Sequence, residues 1–189
     1  MGTRGAWGFI KAGVEKVTYN HYDSDPPYLG RSVVEFIQTC EKEKEDFPKL
    51  FSKIKLVDES KQPTKKEIER GVKLGLTIDT DKPDWYWFLR DMQGDLHILR
   101  KVKRMLDSKD FLGDSLFCEY AYIINLDTSM LEIYQGWNKD PEAPGRYAKL
   151  RGSENREYSG VALKDEMPLD TITNSEIDAL VERMETACS

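Results

Sequence analysis

Between Phe117 and Leu126 the chain reads Phe-Cys-Glu-Tyr-Ala-Tyr-Ile-Ile-Asn-Leu, dense in aromatic and β-branched residues and apolar at both odd and even positions. Because a strand sends alternate side chains to opposite faces, such a run predicts a central strand buried on both sides. It can serve only as the spine of a sheet. Asp127-Thr128-Ser129 then supplies turn chemistry, and Met130 to Gln135 is expected to return as an antiparallel partner.

The amino-terminal segment predicts a second hairpin. Trp7 to Ile10 reads as one strand, Lys11-Ala12-Gly13 as its turn and Val17 to Tyr22 as the returning strand, stopped by Asp25-Pro26-Pro27. Val33, Val34, Ile37 and Cys40 recur at helical spacing. Pro48 opens a short helical segment through Phe51 and Ile54, and Thr64 with Glu67 fits a capping box for a third helix. Asp84 caps a longer helix from Trp85 to Met92 that resumes after Gly94 and runs to Leu106. Asp140 to Gly145 reads as a surface loop, and Asn174 or Ser175 starts a closing helix with Ile177, Leu180, Val181 and Met184 inward. The expected fold class is therefore α+β: a mainly antiparallel sheet of two hairpins plus a later strand near Val161 to Leu163, with helices packed against it. A length of 189 residues suits a single domain, 1–189.

Composition narrows the classes of function. A formal net charge of −6 opposes attraction to phosphate backbones, so no nucleic-acid partner is expected. The basic stretch of Arg100, Lys101, Lys103 and Arg104 reads as a solvated helix face. No apolar run reaches the roughly 20 residues that cross a bilayer, and no signal peptide or myristoylation motif is evident, so a cytoplasmic protein without a membrane partner is expected. Cys40, Cys118 and Cys188 are too few and too far apart for a disulfide framework or a metal-binding pair, and are read as reduced thiols. Neither a metal nor a cofactor is called for; oligomeric state is left open.

Candidate chemistry concentrates in Tyr19-Asn20-His21-Tyr22-Asp23-Ser24-Asp25. Strand alternation would put Tyr19, His21, Asp23 and, if the strand continues, Asp25 on one face, bringing imidazole and carboxylates together for proton transfer or, as the lesser alternative, for a divalent metal. The plainer reading is a turn before the prolines, with His21 half exposed. Glu119, a carboxylate inside an apolar strand, needs a cation or donors, for which Arg4 is the candidate partner; the plainer and equally weighted reading sets it near the strand end, touching water and tying two strands together. Trp137, Asn138, Arg146 and Tyr147 flank the proline loop and could wall a ligand cleft, although packing is the favoured role for Trp137. The candidate catalytic residues are thus His21, Asp23 and Glu119; the candidate substrate-binding residues are Arg4, Asn20, Trp137 and Arg146. His97 and Cys118 are assigned no role.

Thr3-Arg4-Gly5, Tyr19-Asn20-His21-x-Asp23-Ser24, Asp114 to Tyr120 and Tyr134-Gln135-Gly136 together resemble a family of uncharacterised small microbial proteins, a kinship that carries no activity with it. More distantly, the opening hairpin with its Asn20 to Asp23 corner, and the hairpin after Tyr122, are similar to the amino-terminal nucleophile hydrolases. That resemblance implies amide-bond hydrolysis by the side chain of the first residue with its own amine as base. The chain departs from the pattern at the decisive position, because removal of Met1 exposes Gly2, and Thr3 would act only after a further cut. Two functions follow: an amide-hydrolase-like enzyme, or a degenerate relative, acting on a small molecule, with His21 moving protons, Asp23 orienting it and Arg4 holding an anionic group; or a non-catalytic binding or interaction domain.

Overall fold

A computed structural model describes residues 2–77, 84–152 and 157–187. Among the described residues seven strands form two sheets: β1 (Gly5–Lys11), β2 (Val14–Asn20), β3 (Lys55–Val57), β4 (Arg104–Leu106), β5 (Tyr120–Asn125), β6 (Met130–Gln135) and β7 (Ala162–Pro168). The larger sheet has the order β2-β1-β5-β6-β7, and the smaller pairs β3 with β4. The helices are α1 (Arg31–Lys42), α2 (Phe47–Lys53), α3 (Lys65–Lys73), α4 (Trp85–Phe88), α5 (Ile98–Val102) and α6 (Asn174–Ala187). No helix among the described residues is long and apolar enough to cross a membrane.

Both hairpins form, and the sheet is mixed rather than uniformly antiparallel. β1 pairs antiparallel with β2, β5 with β6 and β6 with β7, but the two hairpins join through a parallel pairing of β1 with β5, Gly5 opposite Tyr120. The long segment from Gly13 to Glu119 makes the crossover that parallel neighbours require.

The spine is buried on both faces. Trp7, Phe9, Tyr122, Ile124, Leu131 and Ile133 face the helical layer, where Phe36 of α1 meets Trp7 edge-on at 5.8 Å. Ala6, Ile10, Val17, Ala121, Ile123 and Tyr134 face a thinner layer of loops, roofed by Leu112, Tyr147 and Val161. The parity seen in the sequence of β5 therefore reflects two separate cores, one on each face.

Several boundaries differ from the sequence reading: β1, β2 and β7 extend beyond the expected Trp7–Ile10, Val17 and Val161–Leu163, and three further differences bear on the site. β5 begins at Tyr120, because a turn at Asp114 places the Cys118 amide 2.8 Å from the Asp114 carbonyl oxygen, so Glu119 precedes the strand instead of lying inside it. β2 ends at Asn20, two residues early, because the Asn20 side chain captures the Tyr22 carbonyl oxygen and the Ser24 hydroxyl and turns the backbone away. The helix expected from Asp84 to Leu106 is divided into α4, a 3₁₀ turn at Arg90–Gln93 and α5, after which Arg104 and Leu106 lie in β4. Asp84 does cap α4, accepting from the Trp87 amide at 2.8 Å. The Thr64–Glu67 capping box forms as expected at α3. Cys40 and Cys118 are buried free thiols; Cys188 lies outside the described residues.

Candidate functional site

The corner between β2 and α1 is the best-anchored irregular segment near the sheet. The Ser24 amide donates to Thr3 Oγ1 at 2.7 Å, that hydroxyl donates to Asp25 Oδ1 at 3.0 Å, and Asn20 Nδ2 donates to Ser24 Oγ at 2.9 Å. From the spine, the Tyr122 phenol donates to the Ser24 carbonyl oxygen at 3.0 Å. Gly5 makes room for this arrangement: a Cβ there would stand 2.6 Å from the Ser24 Cβ. Asp23 takes a left-handed backbone with φ 40°, which a short polar side chain tolerates. Pro26–Gly30 then forms one wide π turn that leads directly into α1.

A cleft of about 910 Å³ opens between this corner and the segment from Arg90 to Ile98. The two walls are tied together, since Gln93 Oε1 accepts from the His21 amide at 3.0 Å. The Arg90 guanidinium lies within 4.7 to 5.8 Å of the rings of Trp87, Tyr22 and Tyr86, and donates to the hydroxyls of Tyr22 and Tyr86. It is held as a cation stacked among aromatic faces. Asp91 caps the incoming chain by accepting from the Thr77 amide at 2.8 Å, and Asp95 accepts from the His97 amide at 2.9 Å. Arg31, also on the cleft, is paired with Asp178 of α6.

Asn20 is the most deeply buried residue of the lining, 1% exposed. Its amide nitrogen is fully engaged, whereas its Oδ1 has no hydrogen-bond partner among the described residues. A buried acceptor without a donor is costly, on the order of 1–3 kcal/mol, unless something supplies the donor.

The residues singled out in the sequence divide among five places. Asn20 and Asp23 line the cleft. The His21 imidazole is not in the lining: its Nδ1 shares a 2.8 Å hydrogen bond with the Tyr19 hydroxyl, and its ring stands edge-on to that of Tyr22 at 4.6 Å. Arg4 and Glu119 sit together beyond the end of the sheet, but through the backbone. Glu119 Oε1 accepts from the Arg4 amide at 3.2 Å, and the Arg4 guanidinium stands over the Phe117 ring at 5.7 Å. Trp137 is 61% exposed with φ 60°, held by its amide at 2.6 Å from the Ser115 carbonyl oxygen, and lines a different, smaller depression.

Arg146 belongs to a buried polar network under the second face of the sheet. Glu132, 2% exposed, accepts from Arg146, from Asn125 Nδ2 at 2.6 Å and from the Tyr134 hydroxyl at 2.7 Å. Beside it the Tyr147 hydroxyl donates to Glu15 at 2.7 Å. Burial first, and the neighbouring carboxylates second, push the phenols of Tyr134 and Tyr147 well above the ordinary tyrosine range, so both remain proton donors. The network is a satisfied structural anchor.

The chain matches no protein-family model, no curated protein and no solved structure. The residues of the cleft therefore carry the functional argument by themselves.

Among the described residues no three His, Cys, Asp or Glu side chains come together to hold a metal ion. Sequence reasoning overlooked Arg90, Gln93 and Glu35 as parts of the cleft. A usable signal lay in Trp85-Tyr86-Trp87-Phe88: a single turn of helix cannot bury four consecutive aromatics, so some must stand outward beside whatever follows.

Proposed function

We propose that the protein is a small-molecule binding domain whose ligand sits in the cleft between the Asn20–Leu29 corner and the Arg90–Ile98 segment. The observation that carries this reading is the cleft itself, about 910 Å³, rimmed by aromatic and charged side chains and tied across its two walls by the His21 amide and the Gln93 side chain. Ligand sites combine such concavity with a few convergent polar groups. The His21 imidazole, the group best suited to move a proton at neutral pH, is engaged by the Tyr19 hydroxyl. Screening a library of small polar molecules by chemical-shift perturbation tests the reading. Hits should perturb the backbone amides of Tyr22, Gln93 and Gly94. Hits that cluster elsewhere, or a library without hits, would remove the cleft from consideration.

One observation favours hydrolysis of a C–N bond, in the manner of the amino-terminal nucleophile enzymes. The Thr3 hydroxyl stands at the entry to β1 with a carboxylate, Asp25, 3.0 Å away. Against it, the same oxygen already accepts from two backbone amides, those of Ser24 and Asp25, which engages the lone pairs that a nucleophile needs. Mass spectrometry of the natively expressed chain decides between the readings: a mature protein beginning at Thr3 supports the hydrolase, and a chain retaining Gly2 supports the binding domain.

A further inference from the structure

Pro27 lines a second depression as well as the cleft, one of about 620 Å³ between the Pro26–Gly30 turn, the sheet and α6. The sheet explains why it is there. Leu131, Ile133 and Gln135 of β6 alternate onto one face, the first two buried in the helix-side core, and Gln135 stands directly opposite Tyr120, which packs against that same core. The row therefore ends in an amide where the helical layer calls for an apolar residue. α6 does not seal this end: Val181 and Met184 stay half-buried and line the depression together with Pro26 and Pro27.

The polar groups of the lining are unequally committed. Asp25 accepts from the Thr3 hydroxyl, and Arg183 is paired with Asp165. The Lys164 ammonium and the Gln135 side-chain amide have no hydrogen bond or ion pair among the described residues. In a chain of net charge −6, this depression thus carries two cations against one engaged carboxylate, beside walls of proline, valine and methionine. A small polar solute gains nothing from such walls, and a wholly apolar one leaves the ammonium and the amide unanswered. A molecule with an apolar chain and one carboxylate answers both, and the flexible Met184 thioether lets the wall follow the chain. We infer that the depression binds an alkyl monocarboxylate of the fatty-acid class, its head group at Lys164 and Gln135 and its chain against Val181, Met184 and the two prolines. The site is independent of the cleft, since different backbone amides report on each.

Titration with hexanoate, octanoate and decanoate below their micellar concentrations, followed by amide chemical shifts, tests this. The amides of Gln135, Lys164 and Val181 should move together, with affinity rising roughly two- to fourfold for each added methylene. Acetate, an anion without a chain, should leave them unmoved. Octanol and octylamine separate the head group from the chain, and octanoate is expected to bind more tightly than either. Lys164→Gln, at an exposed position, should weaken octanoate roughly two- to fivefold and leave octanol unchanged. Octylamine binding as tightly as octanoate, acetate producing the same shifts, octanoate binding unaltered in Lys164→Gln, or octanoate shifting only amides elsewhere would each overturn the inference.

Discussion

The hydroxyl of Tyr122 and the carbonyl oxygen of Ser24 lie 3.0 Å apart, one on the buried central strand and the other in the corner that forms a wall of the cleft. This single bond fixes the corner to the sheet at a place where neither partner is accessible to solvent.

Tyr122→Phe therefore removes the donor and leaves the Ser24 carbonyl without it, at a cost of about 1–2 kcal/mol. Denaturant midpoints should fall accordingly. Because the ring remains, Gly30 still packs against it, and the amide resonances of the corner should shift more than those of β6 and β7.

Glu132 and Arg146 supply a second test. Breaking the pair from the arginine side, with Arg146→Met, strands a buried carboxylate and should cost roughly 3 kcal/mol, as for other broken buried pairs. Replacing both residues, Glu132→Met with Arg146→Met, is expected to recover a large part of that loss. A double-mutant cycle measured by urea unfolding checks it, and additive losses would contradict the anchoring role given to the network.

The turn between β1 and β2 places Ala12 at φ 50° and Gly13 at φ 75°. Two successive left-handed residues are the geometry for which Asn-Gly is preferred, and alanine is strained by about 1 kcal/mol in the first position. Ala12→Asn should raise the unfolding midpoint by an amount worth roughly 0.5–1 kcal/mol. Gly8→Ala should do the opposite and abolish cooperative folding, since its Cβ would lie 2.1 Å from the backbone oxygen of Lys16.

Burial raises the Cys40 thiol to about 12 and moves Cys118 upward as well. Both should resist alkylation at pH 8 in the folded protein and react on unfolding, as peptide mass spectrometry would show. The unfolded chain releases these protons near pH 9 while the folded chain retains them. Stability is accordingly complete below about pH 9 and declines as pH rises from there toward 12, a fall measurable by thermal denaturation.

Local patterns in the sequence located most elements. β6 was legible to the residue because a turn precedes it and a glycine follows, and α3 because its capping box is a contiguous signal. The end of β2 was not, since Tyr19 and His21 continue the strand alternation while the decisive event is a side chain, Asn20, bonding to backbone ahead of it. The parallel register of β1 on β5 leaves no local trace, for it joins residues 115 apart in the chain. Of the candidate site residues, Asn20 and Asp23 face the cleft, whereas Arg4, Glu119, Trp137 and Arg146 were grouped with them by chemistry alone and stand elsewhere.

That pairing also orders events during synthesis. The first hairpin emerges early with Trp7 and Phe9 on a strand whose second edge has no neighbour until translation has passed Tyr120. Such a long-range closure is slow relative to local contacts. A nascent chain or proteolytic fragment ending before that point carries an open, aromatic-rich edge suited to recruiting other chains, so aggregation should begin from partial products rather than from the finished protein.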